Sequence, residues 1–340
     1  MTATNAIGLL PAAQVSNFVT TVKAWSESDV QTTADGLKYV YDNDGIVIVG
    51  ATDGKTSVTI PDEIDGTAVY RIDSNAFEGQ KKLSSIDLGS VTTIGHRVFK
   101  DCTSLKTVTI PNTVKTTGRN WTGCLEGSSV EKVIFEEGIT SIPAYVCLNA
   151  SSVKEVVIPD SPDAMEDYNI GNSAFAGTGI TSVELPASIT NIGDSAFKDC
   201  AYLTSFTVPE KVGYVGSECF AGCKRLTSLD LGKAAKLGHK LLENSANIKE
   251  IVIPNTVKTT GRNWTGCLEG SSVEKVIFEE GITSIPAYVC LNASSVKEVV
   301  IPESPDAMEE YSIGDSAFAG TGITSVELPA SITNVSVNYG

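Results

Sequence analysis

Histidine, methionine and tryptophan are scarce in this 340-residue chain, at two, three and three residues, and basic side chains are in deficit, 25 Lys plus Arg against 41 Asp plus Glu. The resulting formal charge of −16 repels phosphate backbones and anionic bilayers, so no nucleic acid is expected as a partner. No apolar run approaches the ~20 residues of a membrane-crossing helix, and no transmembrane segment is expected. Cys-x-x-Cys is absent, and of the eight cysteines only Cys219 and Cys223 lie within five residues of each other. His96 and His239 are too far apart in the repeat to share a compact site, so no metal or other cofactor is expected. There is no P-loop, G-x-S-x-G or H-E-x-x-H either; no catalytic residue is assigned, and the chain is read as a non-enzyme.

What the sequence does contain is repetition. Strand-like hexads, each opened by an aliphatic residue, start at Leu83, Leu105, Val130, Val153, Ile180, Leu203, Leu226, Ile248, Val273, Val296 and Ile323, spaced by 22 to 27 residues. Residues 110–159 recur unchanged at 253–302, and with four changes the copy continues to Asn191 and Asn334. A six-unit block has therefore been duplicated at an offset of 143. Within the unit Ile180–Tyr202, Val183 and Leu185 alternate with Ser182 and Glu184, which is strand periodicity. A proline follows many hexads, where a strand should stop, and a glycine (Gly95, Gly193, Gly216) suits a turn. The period is too short for a strand plus a full crossover helix. Stacked units that share one core solve the burial problem that each unit alone cannot.

The unit pattern L-x-x-I-x-L-P-x-x-I-x-x-I-G-x-x-A-F-x-x-C-x-x-L, clearest at Ile180–Tyr202 and Leu203–Arg225, resembles the BspA-like leucine-rich repeat, also called the Treponema pallidum type. The resemblance implies a mainly β repeat solenoid, curved and right-handed, with one parallel strand per coil and short turns or helical turns on the return side. It also implies a bacterial protein at the cell surface or outside the cell, used in adhesion. Units starting at Leu105, Val130, Ile248 and Val273 depart from the pattern by lacking Ala-Phe at its usual place.

Three regions follow. Residues 1–57 form an N-terminal cap, with a helix around Val15–Trp25 and a hairpin at Tyr39–Val49 whose turn, Asp42-Asn43-Asp44-Gly45, fits a hairpin better than a calcium loop. Residues 58–334 are the solenoid of about twelve units, and 335–340 are a terminal strand or linker. After Asn334 the chain reads VSVNYG, too little to close another coil, so further sequence or end-to-end contacts are expected to cover that end. The inserts Ser161–Tyr168 and Ser304–Tyr311 lengthen their units and are expected to protrude.

All eight cysteines fall in slots that the period assigns to the interior, and no disulfide is expected. Where Cys124 and Cys147 replace phenylalanine, Trp121 and Tyr145 stand just upstream, and their rings are expected to refill the lost volume; Trp121 and Trp264 as an exposed ligand platform is the alternative. Candidate binding residues are the solvent-facing strand positions Asp87, Thr109, Ile134, Val157, Glu184, Thr207, Asp230, Val252, Ile277, Val300 and Glu327. Ile134–Val157 and Ile277–Val300 form two apolar patches beside Glu136 and Glu279. The expected partner is a host or bacterial surface protein or extracellular matrix; a glycan is the alternative, and a structural stalk a third reading.

Overall fold

Alternation in the hexads produces what it should: short strands with one side chain in two buried. Thr107–Ile110 buries Val108 and Ile110 and exposes Thr107 and Thr109, and Glu250–Ile253 repeats this one block later. The computed structural model describes residues 25–118, 122–160, 167–261, 264–303 and 311–335. The helix expected around Val15–Trp25 lies outside them except for Trp25, as do Trp121 and most of both inserts. The buried ends of the inserts are described: Tyr168 and Tyr311 are enclosed, and their hydroxyls donate to the carbonyls of Pro159 at 3.0 Å and Pro302 at 3.4 Å. These two residues anchor the inserts and do not protrude. The hairpin is present, Leu37–Asp42 running antiparallel to Gly45–Ala51 with Asp42 opposite Gly45. Its second strand pairs in parallel with Thr67–Ile72 and so begins the stack.

The coils stack as a parallel β solenoid, and among the described residues the only helical element is the 3-10 turn Glu27–Asp29. No described helix is long and apolar enough to cross a membrane. The return side of each coil carries a second, very short strand, such as Asn169–Ile170, Asn191–Ile192 and Tyr214–Val215, whose outer residue is half-buried and inner residue buried. Two parallel ladders thus run along the stack. Both are interrupted. The hexad ladder breaks between Ser85–Asp87 and Thr107–Ile110, between Glu155–Val157 and Ser205–Thr207, and between Ser228–Asp230 and Glu250–Ile253. The return ladder breaks between Thr116–Thr117 and Ser141–Ile142 and between Thr259–Thr260 and Ser284–Ile285. The breaks coincide mostly with coils that are shorter or longer than their neighbours, because an added or missing residue shifts one side of the coil out of register. They never fall at the same junction on both sides: Thr93–Ile94 pairs with Thr116–Thr117 beside the first hexad break, and Thr107–Ile110 pairs with Lys132–Phe135 beside the first return break.

The core is one continuous cluster along the stack. Its centre is a column of rings, with Phe77 on Phe99 at 5.9 Å between centroids, Phe175 on Phe197 at 5.4 Å and Phe197 on Phe220 at 5.7 Å. All eight cysteines are buried and reduced. Cys102, Cys200 and Cys223 donate their thiol to the carbonyl of the phenylalanine one coil earlier, Phe77, Phe175 and Phe197, at 3.0, 3.2 and 3.1 Å. Ser245 fills the same slot and donates to the Phe220 carbonyl at 2.7 Å.

The volume lost where cysteine replaces phenylalanine is not restored as expected. Trp264 points outward with 63% of its surface exposed, and Tyr145 and Tyr288 are half-buried. In the coils of Cys147 and Cys290 the ring comes from the hexad instead. Phe135 and Phe278 take the last strand position, which Ile110 and Ile253 hold elsewhere, and both are buried. Phe135 meets the Phe175 ring edge-on at 6.2 Å, and Phe278 meets Phe318 at 6.3 Å. A ring on the strand fills the same interior space that a ring on the turn fills in other coils.

Candidate binding face

A β-strand with a buried face sends its alternate side chains to solvent, and parallel pairing lines them up from coil to coil. Of the eleven candidates nine are exposed, while Ile134 and Ile277 are half-buried. The structure brings two sets of three together. Ile134 lies between Thr109 and Val157 in register, and Ile277 lies between Val252 and Val300. Each central isoleucine is half-covered by its neighbours. Val157, Val252 and Val300 remain 40%, 45% and 39% exposed.

The other candidates are not drawn into these rows. Asp87 and Asp230 accept the amides of Gly89 at 3.0 Å and Gly232 at 2.9 Å, so each shapes the turn that ends its own strand. Thr207 sits opposite Asp230 on a separate two-stranded sheet. Glu184 and Glu327 are exposed in segments that join neither ladder.

Beside each apolar row runs a row of alternating charge. The Lys132 ammonium lies 2.6 Å from Glu155, and Lys275 lies 2.8 Å from Glu298. One position earlier, Glu131 is held between Lys106 at 3.0 Å and Lys154 at 3.3 Å, and Glu274 between Lys249 and Lys297, both at 3.2 Å. Hydrogen bonds from Lys106 and Lys154 hold the Glu131 carboxyl below the usual carboxylate range, and Lys297 and Lys249 do the same for Glu274. Such exposed pairs contribute little stability, so their effect is to neutralise one edge of each apolar row. The opposite edge is acidic, with Glu136 and Glu279 accepting the amides of Asn112 and Asn255 at 3.0 Å. The charge rows escaped the sequence reading. Their signal is the succession Lys, Glu, Lys at the position after the opening aliphatic residue of three consecutive units.

The remaining chemistry-bearing groups are structural. Ser74 and Ser217 bond the Nδ1 atoms of His96 and His239 at 2.8 and 2.9 Å, tying each histidine to the coil before it. Burial pushes the thiols of Cys124, Cys200 and Cys267 up to about 12, the reverse of what a nucleophile needs. No group of three or more His, Cys, Asp or Glu suited to a metal ion occurs among the described residues.

Compared with known families, the chain matches the BspA type leucine rich repeat region (6 copies) over residues 55–169, 168–266 and 238–339. The chain belongs to the BspA-type leucine-rich repeat family. No curated protein matches it. Among solved structures it is similar to a leucine-rich repeat protein from Bacteroides ovatus, 21% identical over 90% of this chain and 90% of that one, with a TM-score of 0.45. It is also similar to a leucine rich cell surface protein from Faecalibacterium prausnitzii, 20% identical over 86% of this chain and 97% of that one, with a TM-score of 0.34. For the leucine rich repeat protein of T. pallidum the identity is 17%, the coverage 85% and 88%, and the TM-score 0.24. As a BspA-type repeat, each coil supplies the same few outward positions, and the two apolar rows arise where three consecutive units carry β-branched residues there.

Proposed function

We propose that this chain is a non-enzymatic binding protein of the bacterial surface that contacts a protein, from a host, another bacterium or extracellular matrix, through its solenoid face. The observation that carries this reading is the duplicated three-strand face: two equivalent rows, Thr109, Ile134, Val157 and Val252, Ile277, Val300, each bordered by ion-paired charges on one edge and by a glutamate on the other. Solenoids present such repeated surfaces as binding sites. Two copies on one body allow avidity, so losing one should cost far more than half of the binding to a surface-bound partner. The test is binding of the purified chain to a panel of immobilised matrix proteins and to host cells. Ile134→Lys with Ile277→Lys should lower retention about tenfold without lowering thermal stability. Retention that is unchanged in the double variant defeats this reading.

A glycan partner is the second reading. It is favoured by Trp264, whose exposed ring meets Tyr288 edge-on at 5.8 Å. Glycan-array binding that is lost in Trp264→Ala and kept in the isoleucine variants would support it.

A further inference from the structure

Where the hexad ladder breaks between Glu155–Val157 and Ser205–Thr207 lies an open gap. The segment Ser182–Leu185 has the hexad sequence, yet it forms no strand and pairs with neither neighbouring sheet. The residue before it, Thr181, accepts the Thr204 N–H at 3.2 Å, just ahead of the strand Ser205–Thr207. Ser205–Thr207 is therefore an edge strand. Its ladder to Ser228–Asp230 is flanked by the bonds Thr227 N–H to Thr204 carbonyl and Val208 N–H to Asp230 carbonyl, both 2.9 Å. In a parallel strand the residues that bond one neighbour alternate with those that face the other, so the amides and carbonyls of Ser205 and Thr207 face the gap.

The gap is a cavity of about 710 Å³, lined by Val183, Leu185, Phe206, Glu184, Glu210 and Lys211 among others. Its floor is core that has been opened. Val183 and Leu185 are half-buried, whereas their equivalents Val108 and Ile110 are 1% and 0% exposed. On its rim the carboxylates of Glu184 and Glu210 outnumber the Lys211 ammonium, and Glu210 meets another cation, Lys233, only at 3.9 Å. The size suits a ligand pocket, and three edge residues at ~3.3 Å each match a few residues of extended chain.

We propose that this gap is a docking groove for an extended peptide segment of a partner protein, which adds as a strand along Ser205–Thr207. The segment carries apolar, β-branched side chains at alternate positions for the floor of Val183, Leu185 and Phe206, and Lys or Arg at its ends for Glu184 and Glu210. Backbone pairing supplies the affinity and the floor supplies the selection, as in other cases of strand addition. The groove is separate from the two apolar rows and does not depend on them.

The experiment uses the full chain and a labelled synthetic peptide, acetyl-Lys-Val-Thr-Val-Lys-amide, followed by fluorescence anisotropy. Saturable binding is expected, weakening as salt rises because of the rim charges. Methylating the central backbone nitrogens of the peptide should weaken it about tenfold. In the protein, Thr207→Pro removes a gap-facing amide, and Glu184→Lys with Glu210→Lys reverses the rim. Each should weaken binding about tenfold, with thermal melts close to the parent's. If Thr207→Pro folds poorly, the exposed rim variant decides alone. Ile134→Lys with Ile277→Lys should bind the peptide as the parent does, which keeps this test separate from that of the exposed rows. Absence of saturable binding, equal binding of the methylated peptide, an unaffected rim variant, or occupation of the groove by a glycan or a second copy of the chain in place of the peptide overturns the proposal.

Discussion

The Thr117 hydroxyl donates to the Ala144 carbonyl at 2.7 Å, across a junction where the return strands of the two coils do not pair. Thr260 and Ala287 repeat the contact at 2.6 Å in the second block. Both threonines are 3% exposed, so a side chain replaces a missing ladder bond inside the protein. Replacing both with valine keeps the shape and leaves the half-buried Ala144 and Ala287 without that donor. We expect each change to cost about 1–3 kcal/mol in urea unfolding, with faster amide exchange at this junction than elsewhere.

Phe197 sits at the centre of the ring column, against Phe175, Phe220 and, at 4.8 Å, Phe206. Phe197→Ala should cost about 3–5 kcal/mol, close to the total stability of many domains. In a stack held by nearest-neighbour contacts the damage should centre on coils 180–202 and 203–225. Hydrogen exchange that rose evenly along the whole chain would contradict this.

Gly216 is required by close approach. A Cβ there would stand 2.4 Å from the Gly193 carbonyl carbon and oxygen of the preceding coil. At Gly213, three residues away, an added Cβ meets nothing within 4 Å. Gly216→Ala should therefore destabilise by about 1–3 kcal/mol, whereas Gly213→Ala should be neutral or slightly stabilising by thermal melt.

The buried thiols make the fold sensitive to alkali. In the unfolded chain a cysteine ionises near 8.5, whereas burial holds Cys124, Cys200 and Cys267 neutral up to about 12. The folded pKa is raised, so this contribution to stability is complete below about pH 8.5 and falls as pH rises toward 12. Each thiol that behaves this way should cost roughly 2 kcal/mol by pH 10. Unfolding midpoints measured from pH 7 to 10 should fall steeply, and replacing Cys124, Cys200 and Cys267 with alanine should flatten the slope even while lowering stability at pH 7.

In the native protein at neutral pH, alkylation by iodoacetamide should be negligible, and eight thiols should react after denaturation. Fewer than eight by mass spectrometry would reveal a bridge that the interior slots of Cys219 and Cys223 do not provide for.

The stack was legible because Val183, Leu185 and their equivalents recur at strand spacing, and a recurring apolar slot has few places to go but the core. The cysteines were legible for the same reason. The ladder breaks were not, since one residue more or less in a coil changes register without changing composition. Nor was the groove: Val183 and Leu185 are the residue types found at their buried counterparts, and only the missing pairing of Ser182–Leu185 opens them. The expectation that Tyr145 refills the space beside Cys147 failed on geometry. Phe135, on the strand of the same coil, fills that interior volume and leaves Tyr145 half-buried.

The staggering of the ladder breaks has a mechanical consequence. Where Thr116–Thr117 and Ser141–Ile142 separate, Thr107–Ile110 and Lys132–Phe135 are joined; where Ser228–Asp230 and Glu250–Ile253 separate, Lys236–Leu237 and Thr259–Thr260 are joined. Bricks laid in running bond behave in this way, since no vertical joint continues from one course to the next. A tensile load along the long axis meets backbone hydrogen bonds at every course. A crack that opens on one flank is stopped by intact bonding on the other, and has to cross the ring column before it can spread.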